Sequence, residues 1–338
     1  MSDIYHIPGD NGTDYRLRKF VEYQHEVPSI HYRFLGEWIK GHDIPLDRAV
    51  NMCWLMSVTY NELTVLLLDR FEEERALSPP QVWKNYKDGL DFGSARKYAK
   101  MNDQYLSLMK WWERETNNTP YLWLLSQQGK TGYETYNNLQ RVLRSGPYVG
   151  RFSADLFIES VTYLKRELRL KIKEPPVIDW DNSANLASGI LNILYEDERA
   201  NEFDRKRKLS KGEKASLSRE LLAIQTEIRN AYPEQDAQIT MFIGKICSFR
   251  NLFKAARYGG FHHDRELGVL NRYRATFPEH DDIWQECFAL RRSIFPQQFL
   301  GELHDWDGIR PARKKLWLNF GLTGVEEESI GLERLLGQ

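Results

Sequence analysis

The sequence predicts an all-α protein, a multi-helix globular fold, and three observations carry that prediction. Apolar residues recur at three- and four-residue steps through most of the chain, strictly alternating runs are scarce, and proline or glycine punctuates the periodic stretches. With 338 residues, 41% of them hydrophobic and 28% charged, there is apolar material for a sizeable core, as one large domain or two packed lobes. The disordered and fibrous classes are excluded.

Taken in order, Tyr15 to Glu26 reads as a short helix after a polar leader, and Pro28 suits the first turn of the next. That second helix carries His31, Tyr32, Phe34, Leu35 and Trp38 and ends at Gly41. Pro45 opens a long segment in which Val50, Cys53, Trp54, Leu55, Val58, Leu63, Leu66 and Leu67 cover most of the circumference, as in a helix central to a bundle. Pro79 and Pro80 start a stretch through Trp83 and Tyr86. Amphipathic helices are expected over Asp103 to Arg114 and Tyr133 to Leu143, the second stopped by Arg144-Ser145-Gly146-Pro147. Val149, Phe152, Leu156, Phe157, Val161, Leu164 and Leu168 then repeat with helical spacing.

Pro175-Pro176 marks the expected boundary between an N-terminal helical lobe, 1–174, and a closely packed C-terminal helical lobe, 175–338. In the second lobe, helices are expected near Asn185 to Tyr195 (with Asn182 or Ser183 as N-cap), Leu221 to Ala231, Asp236 to Phe253, Asp264 to Phe277 and Asp282 to Leu290. The basic run Arg205, Lys206, Arg207, Lys208, Lys211 and Lys214, within 204–219, reads as a solvated loop rather than a track for nucleic acid.

A formal net charge of −1 excludes a protein that coats nucleic acid through bulk charge, so any polyanion must be met by a local patch. The 13% aromatic content, with 10 Trp, supplies core and also surfaces on which unpaired bases stack. Cys53, Cys247 and Cys287 are scattered singly, without metal-ligand spacing, as suits a reducing cytoplasm. Cys247 reads as a small core residue. Residues 1–15 lack the basic-then-apolar order of a signal peptide. The apolar stretch from Val50 to Leu68 is interrupted by Asn61 and Glu62, so it reads as buried rather than membrane-spanning, and no membrane partner is expected.

Three constellations carry chemistry. The turn Gly146-Pro147-Tyr148-Val149-Gly150-Arg151 joins two helices and presents backbone N–H groups at the second helix's N-terminus. With the helix dipole these suit a phosphate, in the layout of a helix-hairpin-helix clamp on a DNA backbone, although the spacing is Gly-x-x-x-Gly rather than the tighter Gly-x-Gly. Gly146, Tyr148, Gly150 and Arg151 are the candidate DNA-binding residues. The bland reading is a tight connection with glycine and proline as punctuation. Asp179 and Asp181 follow in Val177-Ile178-Asp179-Trp180-Asp181, where either suits a general base or a partner for a cationic amine; alternatively Asp181 caps a helix and Asp179 is solvated. The third is Arg257-Tyr258-Gly259-Gly260-Phe261-His262-His263-Asp264-Arg265, where Arg265 can clamp a phosphate, Asp264 can orient it, and adjacent histidines cannot share one metal from a helix. No P-loop, dinucleotide fingerprint, zinc-finger spacing or Ser-His-Asp elbow is present.

The order of these features resembles the phage amino acid:DNA transferases, grouped with the α-glutamyl/putrescinyl thymine pyrophosphorylases. The residues that carry the resemblance are Asp47-Arg48, Cys53-Trp54-Leu55 and Thr59-Tyr60; Gly146 to Phe157 with its Gly-Arg-Phe; Asp179 to Gly189; and Cys247-Ser248-Phe249 with Tyr258-Gly259-Gly260 and Asp264-Arg265. It spans roughly Tyr15 to Glu302. Where the family pattern has an aromatic pair before Asp-Arg, His262-His263 stand here.

The resemblance implies an all-helical fold related to helix-hairpin-helix DNA glycosylases, and a transferase of thymine hypermodification. A pyrophosphorylated 5-hydroxymethyl-uracil in double-stranded DNA loses pyrophosphate, and a free amino acid or polyamine takes its place. The target nucleotide then flips into a pocket whose candidate walls are His31, Tyr32, Trp54, Tyr60, Tyr258 and His262, although His31, Tyr32, Trp54 and Tyr60 each read individually as core packing first. Arg265, oriented by Asp264, meets the leaving pyrophosphate, and Asp179 or Asp181 deprotonates the amine. No cofactor is implied, the question of a divalent ion at the pyrophosphate stays open, and the expected location is the cytoplasm, that of the host for a phage protein. The other readings of the same features are a glycosylase-like base-flipping hydrolase and a non-catalytic helical DNA-binding protein.

Overall fold

The computed structural model describes residues 30–75, 79–93, 100, 104–173, 210–231 and 270–294. Of these, 75% are helical and none lies in a strand, so the all-α expectation holds. The chain forms two compact units, one of Ser29–Pro175 with His262–Ile294 and the other of Met1–Pro28, Pro176–Phe261 and Phe295–Gln338.

In the first unit the helices are α1 (Ile30–Gly41), α2 (Leu46–Thr59), α3 (Glu62–Arg75), α4 (Pro79–Tyr86), α5 (Gln104–Thr116), α6 (Pro120–Ser126), α7 (Gly132–Leu143) and α8 (Arg151–Tyr163). After α9 (Lys211–Ala231) in the other unit, α10 (Leu270–Thr276), a 3₁₀ turn (Pro278–His280) and α11 (Asp281–Ile294) belong to the first unit again. Helix α2 is buried at every position from Ala49 to Thr59 except half-buried Asn51, because α3, α6 and α8 all pack against it. Helix α8 also touches α1 and α7, and α11 packs on α1.

The centre is aromatic. Trp54 of α2 stacks on Trp112 of α5 at 4.7 Å between centroids, and Phe157 of α8 meets both rings edge-on. Such pairs contribute roughly 0.5–1.5 kcal/mol each beyond their buried area. A second aromatic group joins Phe71 to Tyr86 and Phe277. Beside it, the Tyr273 hydroxyl receives the Asp91 backbone N–H at 2.6 Å and meets Thr64 Oγ1 at 2.6 Å.

The long helix expected after Pro45 is two helices. Tyr60 adopts left-handed backbone (φ 50°, ψ 40°) and closes α2 by donating its N–H to the Met56 carbonyl at 2.8 Å. Asn61 starts α3, its Oδ1 accepting the Thr64 N–H at 3.0 Å, as an N-cap does. Gly93 secures the corner: its N–H reaches the Thr59 carbonyl at 2.8 Å, and a Cβ there would lie 2.1 Å from the Tyr60 carbonyl oxygen. The apolar pattern runs unbroken across this corner because both helices bury nearly every side.

Helix α9 (Lys211–Ala231), in the second unit, corrects another expectation. Lys211 and Lys214 lie in its first turn rather than in a loop. Ser210 and Glu213 form a reciprocal capping box, with Ser210 N–H on Glu213 Oε2 at 2.7 Å and Glu213 N–H on Ser210 Oγ at 3.3 Å. Among the described residues no helix is long and apolar enough to cross a membrane.

Candidate functional site

The site is built on the α7–turn–α8 unit. Thr131 caps α7 by accepting the Glu134 N–H at 3.2 Å, and Glu134 returns a carboxylate to the Lys130 N–H at 2.6 Å. At its other end the chain turns through Ser145 N–H to Val142 O and Gly146 N–H to Leu143 O, both at 3.0 Å. The two glycines do different work. A Cβ on Gly146 would sit 3.0 Å from the Trp111 ring, so glycine there permits close packing. Gly150, extended at φ −85°, has open space where a Cβ would be and is the N-cap of α8, with no side chain capping the helix. The left-handed residue of the turn is Tyr148, at φ 58°.

Tyr148 and Phe152 are 59% and 50% exposed, unusual for aromatics beside a core. Phe152 leans edge-on against Tyr60 at 5.8 Å. From 135 to 154 the chain holds Arg141, Arg144 and Arg151 and no acidic residue. Arg141 and Arg144 are exposed. Arg151 is instead turned back along α8, its Nε 3.3 Å from Asp155 Oδ2, and only 12% exposed. In this arrangement the guanidiniums facing solvent near the turn are Arg141 and Arg144 rather than Arg151.

Next to the turn, α8 carries a polar stripe of half-buried Asp155 and buried Glu159 and Thr162. Asp155 accepts from Gln140 Nε2, from Tyr136 Oη at 3.3 Å and from Arg151 Nε. Burial pushes its carboxyl up to about 6, against the pull of Arg151 and these hydrogen bonds. One turn further, buried Glu159 accepts a hydrogen bond from the Tyr32 hydroxyl of α1. Burial and then Glu159 hold Tyr32 well above the ordinary phenol range, and Tyr60 and Asp155 act on it in the same direction. Thr162 completes the stripe, 5% exposed, its Oγ1 without a hydrogen-bond partner among the described residues.

Of the residues expected from sequence, Tyr32 and Tyr60 therefore come together beside α8, with Arg151 and the turn close by in the chain. Trp54 does not join them: it is 1% exposed in the central stack, its indole Nε1 buried without a hydrogen-bond partner among the described residues. Backbone of His31 is helical in α1. Asp179, Asp181, Tyr258, His262, Asp264, Arg265 and Cys247 lie outside the described residues. Cys53 and Cys287 are buried free thiols, and burial raises both, which disfavours the thiolate form. Among the described residues no group of three or more His, Cys, Asp or Glu is placed to hold a metal ion.

Asp155 and Glu159 were not among the expected site residues. The signal was present as two carboxylates at i, i+4 inside Ala154-Asp155-Leu156-Phe157-Ile158-Glu159, an otherwise apolar run. Acids on the buried face of a helix call for partners, and partners in the fold are not visible in one-dimensional spacing. Chemically, the cluster offers a carboxyl able to exchange a proton near neutrality, a second buried carboxyl, phenolic donors and an aromatic edge open to solvent. No family model, curated protein or solved structure matches the chain.

Proposed function

We propose that this chain is a transferase acting on double-stranded DNA, replacing the pyrophosphate of a 5-pyrophosphoryloxymethyl-uracil by an amine or amino acid, in keeping with the motif order given above. The observation that carries the reading is the edge of the α7–turn–α8 unit. Exposed Arg141 and Arg144, at the end of α7, are followed in the chain by exposed Tyr148 in the turn and exposed Phe152 in the first turn of α8, the helix that carries Asp155. A local cationic patch on a chain of net charge −1 suits phosphates, and exposed aromatics suit an unstacked base. A base whose exocyclic carbon reacts must leave the duplex stack, and a carboxyl near neutrality serves proton transfer once it does. Arg265, with Asp264, is assigned in this reading to the departing pyrophosphate.

The test is direct. The full chain is incubated with duplex DNA carrying pyrophosphorylated hydroxymethyl-uracil and a panel of amines; pyrophosphate release and a mass-shifted nucleoside are expected. Free base or abasic sites would point instead to a glycosylase-like hydrolase, which also uses a flipped base and an acid. DNA binding with no product across the panel would leave a binding module. Arg265→Ala is expected to abolish turnover with DNA affinity largely kept. Normal turnover in that variant would remove the Asp264–Arg265 segment from the mechanism.

A further inference from the structure

We propose that the segment after α8 is a second contact for the backbone of duplex DNA, at the end of the α7–α8 pair opposite the turn. Its cations are Lys130, Arg166, Arg169, Lys171 and Lys173. The choice of duplex DNA rests on the transferase reading; the surface itself is argued from charge and packing.

The segment is held in place by its own backbone. Leu170 donates its N–H to the Lys165 carbonyl at 2.8 Å, across Arg169, whose backbone is left-handed at φ 51°. Glycine ordinarily takes that position after a helix, so an exposed arginine is kept where glycine fits more easily. Beyond it the chain alternates. Leu170 and Ile172 are buried, whereas Arg169, Lys171 and Lys173 are exposed. The apolar side chains anchor the segment and leave three cations facing solvent. They span at most about 14 Å, over which one strand of a duplex advances by about four phosphates.

The same segment is tied to the start of α7. Lys173 N–H reaches the Gly132 carbonyl at 3.0 Å, and Lys171 N–H reaches Gln128 Oε1 at 3.1 Å. A Cβ on Gly132 would lie 2.8 Å from the Lys173 nitrogen, so glycine lets the two stretches meet. Exposed Lys130 lies in the chain between these two attachment points.

The charges are not spent inside the fold. In 127–143 and 164–173 the acids are Glu134 and Glu167. Glu134 accepts the Lys130 backbone N–H at 2.6 Å, and Glu167 faces Lys40 Nζ at 3.7 Å. None of the five cations is in a salt bridge with a described residue, and Lys173 Nζ lies 5.5 Å from the centre of the exposed Tyr133 ring. Five like charges gathered on a chain of net charge −1 repel one another, and a polyanion relieves that repulsion.

The surface also continues toward the turn. Tyr133, Asn137, Arg141 and Arg144 recur along α7 at steps of four, four and three, and all are exposed. The 12 residues of α7 cover about 18 Å, or about five base pairs of duplex. A backbone lying along this face meets arginines at one end and the segment after α8 at the other. Cations set along one line suit a strand better than a lipid surface.

Fluorescence anisotropy of the full chain on a labelled duplex of about 20 base pairs, across a series of KCl concentrations, tests the contact. The variant Arg169→Gln/Lys171→Gln/Lys173→Gln changes exposed side chains alone, and its thermal melt checks that it folds. Its slope of log affinity against log salt is expected to be shallower than that of wild type by about 2 to 3. Affinity at low salt should fall at least tenfold, to the same extent on modified and unmodified duplex. A slope within about 0.5 of wild type overturns the proposal. So does a variant that keeps its DNA slope but loses binding to phosphatidylserine vesicles, which makes the surface a membrane contact. If the triple variant does not fold, Lys130→Gln/Lys171→Gln takes its place, with a slope shallower by about 1 to 2 expected and no change overturning the contact. Product formation by wild type, with an unchanged slope in the variant, sinks the second contact and leaves the transferase reading standing. A shallower slope in the variant, with no product from wild type, supports the contact and sinks the transferase reading.

Discussion

Two regions of the first unit bury carboxylates, and they do so to different ends. Around α2 and α3, Asp69 receives Arg48 through Nε and Nη2, each at 2.6 Å, and Glu72 receives Asn51 Nδ2 at 3.2 Å, while Asn51 accepts the Trp112 indole N–H at 3.0 Å. That network runs from a guanidinium into the aromatic core. Around α8, Asp155 is held by an amide, a phenol and a neighbour on its own helix, and the same helix presents Phe152 to solvent one turn earlier. In both, burial is the first cause of a raised carboxyl, for Glu72 up to about 7 and for Asp155 up to about 6. A raised carboxyl therefore does not by itself mark a functional acid. What distinguishes the α8 stripe is the open aromatic and cationic edge beside it.

The largest expected effect would separate the two regions by stability. Asp69 is 7% exposed, and Arg48→Met removes both guanidinium bonds from it, so the folded state should lose about 3 kcal/mol. Urea denaturation with an unchanged slope measures this. Turnover of the modified duplex by the remaining folded protein should stay within threefold of wild type. A loss below about 1 kcal/mol, or a parallel loss of turnover, would erase the distinction between a structural and a functional acid group.

A smaller effect is expected from pH. Glu72 rises from an ordinary 4.5 to about 7 through burial first, then through Asp69 and Glu113. Between those values the folded chain holds more protons than the unfolded chain, so this residue's contribution to stability falls as pH rises through that window. Glu72→Gln keeps an oxygen for the Asn51 amide and carries no charge. It should be more stable than wild type by roughly 2 kcal/mol at pH 8, an upper figure given partial exposure, with the gain fading to nothing near pH 4. Thermal melts across that range read the difference; a gain that grows toward acid would contradict the assignment.

How far the sequence foretold this arrangement depends on what each residue needed to be recognised. Helices α4, α5 and α7 were legible because prolines, amphipathic spacing and a Gly-Pro stop bracket them. The corner at Tyr60 was not, because the apolar pattern continues through it and the two devices that make it, the Asn61 cap and the Gly93 approach, act across the fold. Helix α6, seven residues behind Pro120, is too short for periodicity to show. The start of α9 was legible in Ser210-x-x-Glu213 but hidden beneath a run of lysines and arginines. Tyr32 and Tyr60 stand beside α8, whereas Trp54, read from sequence both as a candidate wall and as core, stacks in the core, since an indole suits either setting. Asp155 and Glu159 escaped notice because a carboxylate's burial depends on α1 and α7 folding over it.

The smallest effect sharpens the reading of the exposed edge. Tyr148 is left-handed at φ 58° and presents its ring to solvent, so the chain tolerates strain of about 1 kcal/mol without a compensating burial of that ring. Tyr148→Gly relieves the strain and removes the ring, whereas Tyr148→Ala removes the ring and keeps the strain. If the ring serves to stack on a base, both variants should lose about 1 kcal/mol of affinity for duplex DNA with an unpaired target. Only the glycine variant should match or exceed wild-type stability, because its gain in the turn is offset in part by a more disordered unfolded chain. Fluorescence anisotropy with labelled DNA and a denaturation curve for each variant separate these terms. Unchanged DNA affinity in both would mean that Tyr148 shapes the turn alone, and the aromatic edge that distinguishes the α8 stripe would then rest on Phe152.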